Sequence, residues 1–252
     1  VLNRGAKVIS AKAALRNTLF FVSMGGLFAA FLAWRFGSAP ALEFVTGYVI
    51  EYALSVDNLF VFLVVFTYFS VPAEHQHRVL FWGILGAVVL RGVFIIAGAA
   101  LLAKFAWMIF VFGAFLIYTG VKLLFAKEGS VDPARNPILL LCQRFLPVTS
   151  EYHGAHFFAR VEGSLVVTPL FLVLVVVEFT DVIFAVDSIP AIFAVTRDPF
   201  LVFTSNVFAI LGLRSLYFAL AGVMDKFHYL KIGLGVVLSF VGVKMLLGHS
   251  PW

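Results

Sequence analysis

Glu51-Tyr-Ala-Leu-Ser-Val-Asp57-Asn58-Leu-Phe-Val-Phe62 and Asp181-Val-Ile-Phe-Ala-Val-Asp187-Ser188-Ile-Pro-Ala-Ile192 align without a gap: an acid, five mostly apolar residues, a second acid, then a small polar residue. Both stretches lie inside long apolar runs, where an ionisable group is costly and marks a functional site by default. Matched acids in two halves of one chain predict a polar site at the interface of a structural repeat, the layout of secondary transporters.

The repeat extends beyond the acids. Leu90-Arg91-Gly92 corresponds to Leu213-Arg214-Ser215, Lys104-Phe105 to Lys226-Phe227, and Gly120-Val-Lys122-Leu123-Leu124 to Gly242-Val-Lys244-Met245-Leu246. The offset is 187 − 57 = 130 at the acids and 214 − 91 = 123 at the arginines, so seven residues are lost between them, in a loop that tolerates deletion. Apolar runs fall at 18–36, 44–70, 79–103, 105–126, 165–195, 200–222 and 228–247, each long enough to be read as a membrane span. The expected fold is an all-α integral membrane protein with seven transmembrane helices, one N-terminal helix followed by two three-helix repeats. Three is odd, so the second copy enters the membrane in the opposite sense and the repeat is inverted. The units are residues 1–39, an N-terminal segment with the first span; 40–126, the first repeat; 127–164, a linker; and 165–252, the second repeat. The linker carries Asp132-Pro133, Asn136-Pro137, a short apolar stretch at Ile138–Cys142 and Thr149-Ser-Glu-Tyr-His-Gly154; it reads as a connecting loop with a short amphipathic helix at the membrane surface.

Composition agrees: 62% of residues are hydrophobic and 12% charged, about half the charge of an ordinary soluble domain, so lipid is the solvent. The net charge of +5 does not form a nucleic-acid patch, because the basic residues are spread between the apolar runs. Counted by side, eleven lysines and arginines lie with the N-terminus and the linker, against Arg35, Lys104 and Arg197 opposite, which places the N-terminus in the cytoplasm. The basic lead of Arg4, Lys7, Lys12 and Arg16 also resembles a signal peptide, but its length and that of the first apolar run favour an uncleaved span. One cysteine, Cys142, allows no intrachain disulfide and no cysteine-based metal or redox motif. The absence of an initial methionine and the stop just after a span read as a fragment.

The acids decide the chemistry. Within the apolar runs Glu51, Asp57, Glu178, Asp181 and Asp187 stand against Arg91 and Arg214, giving −5 + 2 = −3 if all are ionised. A cation is expected. Carboxylates with the Asn58 amide and the Ser188 hydroxyl, and no thiolate, favour Mg, Ca or Mn over copper or zinc. Protons stay open as coupling ions. Glu51 and Asp57 are six residues apart, about 240° around and 9 Å along a helix, and Glu178 and Asp187 fall on opposite faces, so one cavity collects them only if a helix is interrupted. Pro190 is placed to interrupt it between Val186 and Pro190. The rival reading for Arg91 and Arg214 is structural pairing with some of these acids. His75, His77, His153 and His156 read as solvated loop residues, and no catalytic or covalently bound cofactor is expected.

Glu51-x5-Asp57-Asn58, Ser70-Val-Pro72, Leu90-Arg91, Thr168-Pro-Leu170, Asp181 to Val195 and Ser205-Asn206-x-Phe-Ala-Ile-Leu-Gly-Leu-Arg214 closely resemble the TerC family of tellurium-resistance membrane proteins, in particular its Alx branch. That resemblance implies a bacterial inner-membrane protein with a role in Mn²⁺ export and the five acids as its charged site. A non-transporting membrane scaffold in metal or tellurite stress is the alternative; an oxyanion carrier is disfavoured by the excess negative charge.

Overall fold

The computed structural model describes residues 11–125, 136–220 and 228–247, with side chains throughout except at 11, 12, 56, 57, 214, 219, 220 and 228–231. Helices are α1 Ala11–Phe36, α2 Ser38–Tyr68, α3 Ala73–Lys104, α4 Met108–Phe125, α5 Pro137–Phe145, α6 Pro169–Phe193, α7 Pro199–Leu220 and α8 His228–Leu247, and a hairpin of β1 Phe158–Val161 and β2 Ser164–Val167 precedes α6. The expected spans are α1 to α4 and α6 to α8. Six of them are long and apolar enough to cross a membrane, and the seventh has a shorter apolar helix at Ile232–Leu247. Leu27, Ile96 and Phe240 are about 70% exposed, as lipid-facing side chains are in a chain whose outer surface meets hydrocarbon.

Boundaries follow local chemistry. Gly37, at φ 94°, makes the sharp turn between α1 and α2, and prolines open α5, α6 and α7, where a missing N–H costs nothing. The α2–α3 turn runs through Ser70 in the left-handed region to Pro72, which caps α3. Helices α2 and α3 therefore begin about six residues earlier than the apolar runs suggest; in α3 this is because its polar opening, Ala73 to Arg78, carries no hydropathy signal.

The linker is more ordered than expected. Helix α5 forms where the apolar stretch lies, capped by Asn136, whose side chain accepts from the Ile138 N–H at 3.0 Å. The hairpin was not foreseen: Glu162 and Gly163, at φ 51° and 84°, form a tight turn that sets Phe158 opposite Val167 and Arg160 opposite Leu165. Four-residue strands vanish in a search for spans. The hairpin segment clamps the α2–α3 turn, with the Tyr152 hydroxyl donating to the Phe69 carbonyl at 2.7 Å and the Arg78 guanidinium 5.1 Å from the Phe157 ring centre. Burial raises the Tyr152 phenol above its ordinary pKa. The reading of the histidines as solvated loop residues holds for exposed His156 and is corrected for the others: His75 and His77 lie in α3, His75 packs 6.4 Å from Tyr152, and the His153 Nε2 is buried.

Helices α4 and α8 cross through four glycines. A Cβ at Gly113 would lie 3.1 Å from the Gly242 carbonyl oxygen, and one at Gly120 would lie 2.7 Å from that of Gly235. The pairs run antiparallel, and they exchange under the sequence equivalence of Gly120 with Gly242, since Gly113 then matches Gly235. Such close approach is how helices gain contact where lipid gives no hydrophobic drive. Gly120→Ala should therefore lower thermal melting in detergent by about 5 °C or more, as overpacking costs about 1–3 kcal/mol. A wild-type melting curve would contradict this packing.

Candidate functional site

Arg91, in the middle of α3 and 1% exposed, gathers the charged core. Its Nε and Nη2 donate to Asp181 Oδ2 and Oδ1 at 3.0 and 2.8 Å, a bidentate pair, and Nη1 donates to Glu51 Oε1. Ser188 Oγ lies 3.5 Å from Nη1, and Ser55 Oγ donates to Glu51 Oε1 at 3.4 Å. Glu51 and Asp181 are 0% and 4% exposed. Taking such groups from water costs several kcal/mol per ion, which the fork geometry, the Ser55 hydroxyl donating to Glu51 and the Ser188 hydroxyl accepting from Arg91 offset. The repeat counterparts Glu51 and Asp181 are thus joined by one arginine. For Arg91, the pairing reading holds.

Beside this pair lies a cavity of about 80 Å³, room for several waters. Glu51, Leu54 and Asn58 reach it from α2 at i, i+3 and i+7, one face of a helix, and Phe184, Asp187 and Ser188 reach it from α6 at i, i+3 and i+4. Arg91 contributes from α3, Thr119 and Leu123 from α4, Leu234 and Leu238 from α8. Asp187 makes no ion pair among the described residues; its Oδ1 accepts from Thr119 Oγ1 at 3.2 Å. Glu51 Oε2 is buried without a hydrogen-bond partner. With Glu51, Asp187 and Arg91 ionised, the residues lining the cavity carry −2 + 1 = −1, while Asp181, paired with Arg91, is not among the lining residues.

Two expectations change. Helix α6 runs unbroken from Pro169 to Phe193, so the interruption expected between Val186 and Pro190 is absent. None is needed, because the Arg91 guanidinium meets both Asp181 and, seven residues on along the same face, Ser188, while Asp187 lies on another face that opens on the cavity. Glu178 does not line the cavity; its carboxyl packs against Gly86 of α3, where a Cβ would collide with it, and its Oε2 is buried without a partner. The side chains of Asp57 and Arg214 lie outside the described residues.

Among the described residues no three His, Cys, Asp or Glu side chains form a metal-binding group. Cavity donors are two carboxylates, an amide and two hydroxyls, all hard oxygen ligands, which suit Mg, Ca or Mn when neutral oxygens complete the shell. Sequence reasoning missed Thr119, although the repeat breaks there: Val241 stands at the matching position, one residue before Gly242. It also gave no role to Asn206 of α7, 1% exposed with both amide atoms unpartnered.

Residues 36–251 match the family described as the integral membrane protein TerC family. The chain belongs to the TerC family. Among curated TerC relatives it is 53% identical over 98% of its length, and 77% of the relative's, to a Myxococcus xanthus protein named only as an uncharacterized membrane protein, STKORF319. It is 50% identical, over 97% of its length and 78% of the relative's, to Alx of Escherichia coli (strain K12), which carries the provisional name of membrane-bound redox modulator. The Arabidopsis thaliana chloroplast thylakoid membrane protein TERC is 52% identical over 84% of this chain and 55% of that protein. No solved structure matches significantly.

Proposed function

We propose that this TerC protein exports a divalent metal cation, best fitted by Mn²⁺, across a bacterial inner membrane through the cavity between α2 and α6, with its N-terminus in the cytoplasm. The observation that supports this most strongly is a cavity of net negative charge lined by hard oxygens, a setting that suits a hard divalent cation. The unpartnered Glu51 Oε2 and the Asp187 carboxylate, which makes no ion pair among the described residues, are the oxygens such an ion would meet. Asp57, Asn58 and Ser188 complete the expected ligand set, and helices of both repeats, α2, α3 and α4 of the first and α6 and α8 of the second, surround it, as in carriers that open to alternate sides. Proton coupling belongs to the same proposal.

Arg91 favours a second reading. It occupies two of the acids outright, as structural pairing requires, so a scaffold that moves nothing is the competing account. A redox role of the kind named for Alx has no dithiol behind it in this sequence, whose one cysteine is Cys142. The two accounts separate in bacteria lacking their own Mn²⁺ exporters: expression of this protein should lower cellular manganese and restore growth in millimolar Mn²⁺. Unchanged manganese content at normal membrane abundance would favour the scaffold.

A further inference from the structure

Threonines inside helices ordinarily turn their hydroxyls back on the carbonyl four residues earlier. Thr18, Thr46, Thr67, Thr180 and Thr204 do this here, at 2.7–3.1 Å from Ala14, Leu42, Leu63, Val176 and Phe200. Thr119 departs from the pattern and donates across the cavity to Asp187 Oδ1. Its backbone is held in place by the next residue, Gly120, which touches the Gly235 carbonyl of α8 too closely for a Cβ. The second repeat has no counterpart to this donor: Val241 occupies the matching position and is buried with Leu116, Leu238 and Met245.

We infer that Thr119 is a positioning residue for the proposed cation site: its hydroxyl holds one Asp187 oxygen from α4 and leaves the other to the cavity, which makes Asp187 the pre-oriented acid of the repeat pair. The inference rests on the cation-export reading. A carboxylate on a helix has freedom about χ1 and χ2, and a ligand that must be ordered on binding weakens affinity. A fixed donor from the facing helix removes that cost without occupying the second oxygen. Turnover depends on the moving helices, so the loss should fall on cation affinity.

The test uses purified protein in liposomes, with Mn²⁺ uptake followed by an entrapped dye and Mn²⁺ binding in detergent read from the free-ion electron paramagnetic resonance signal. Thr119→Val should raise KM and weaken Mn²⁺ binding about tenfold, the scale of one hydrogen bond to a charged group, with kcat within about twofold. Thr119→Ser, which keeps the hydroxyl, should restore both; Thr119→Ala serves if the valine variant does not fold. An unchanged KM in the variants lacking the hydroxyl, or a serine variant as impaired as they are, overturns the positioning role while leaving export intact. Wild-type protein that neither binds nor carries Mn²⁺ overturns the export reading and this inference with it.

Discussion

Replacing Asp57 and Asp187 together by asparagine is expected to lower Mn²⁺ transport by more than about a hundredfold while membrane abundance stays within about twofold of wild type. Asparagine preserves size and shape but removes an anionic oxygen, and a hard cation held by few charges loses most of its binding with each. Asp187 lies on a partly solvated cavity and anchors no ion pair among the described residues, so its neutralisation leaves no buried charge behind. Single variants should show the same direction, with Asp187→Asn the stronger because Thr119 pre-orients that acid. The readouts are transport rate in vesicles and protein level in the same membranes. Normal transport by the double variant would remove the aspartates from the mechanism.

Arg91→Met is expected to act on the fold instead. It leaves Glu51 and Asp181 buried without their shared cation, and breaking a buried pair in this way costs about 3–5 kcal/mol. Melting in detergent should fall by about 10 °C and membrane abundance several-fold. Neutralising the stranded acids as well, in Arg91→Met/Glu51→Gln/Asp181→Asn, should recover most of the lost stability, since an apolar or neutral core of similar volume replaces an ion pair at little cost. A triple variant as unstable as the single one would show that Arg91 packs rather than neutralises.

Much of this was legible in the chain. Runs of apolar residues about twenty long located the helices, because backbone polar groups in lipid must be satisfied within each span. Charges in those runs located the site, since Glu51, Arg91, Asp181 and Asp187 have no reason to be in hydrocarbon unless paired or functional. What sequence could not give was direction in space. Six residues separate Asp181 from Asp187, and helix geometry places them on different faces, but only the position of α3 shows that Arg91 takes the first while the second opens on the cavity. Pro190 looked like a break, yet α6 continues through it to Phe193, forgoing the one bond its missing N–H would make to the Val186 carbonyl. Glu178 belongs to a separate contact with Gly86, a pairing of helices that no spacing along the chain encodes. Thr119 was hidden for the opposite reason: one hydroxyl in an apolar span is unremarkable until its partner is known.

In the proposed function the cavity carries a divalent cation through the membrane. The most direct test of this transport is Mn²⁺ entry into liposomes that contain only the purified protein, an entrapped metal-sensitive dye and an inward Mn²⁺ gradient. Saturable entry well above that of protein-free liposomes, abolished in Asp57→Asn/Asp187→Asn, is expected. Equal Mn²⁺ entry with and without folded protein, under both imposed proton gradients and none, would contradict it.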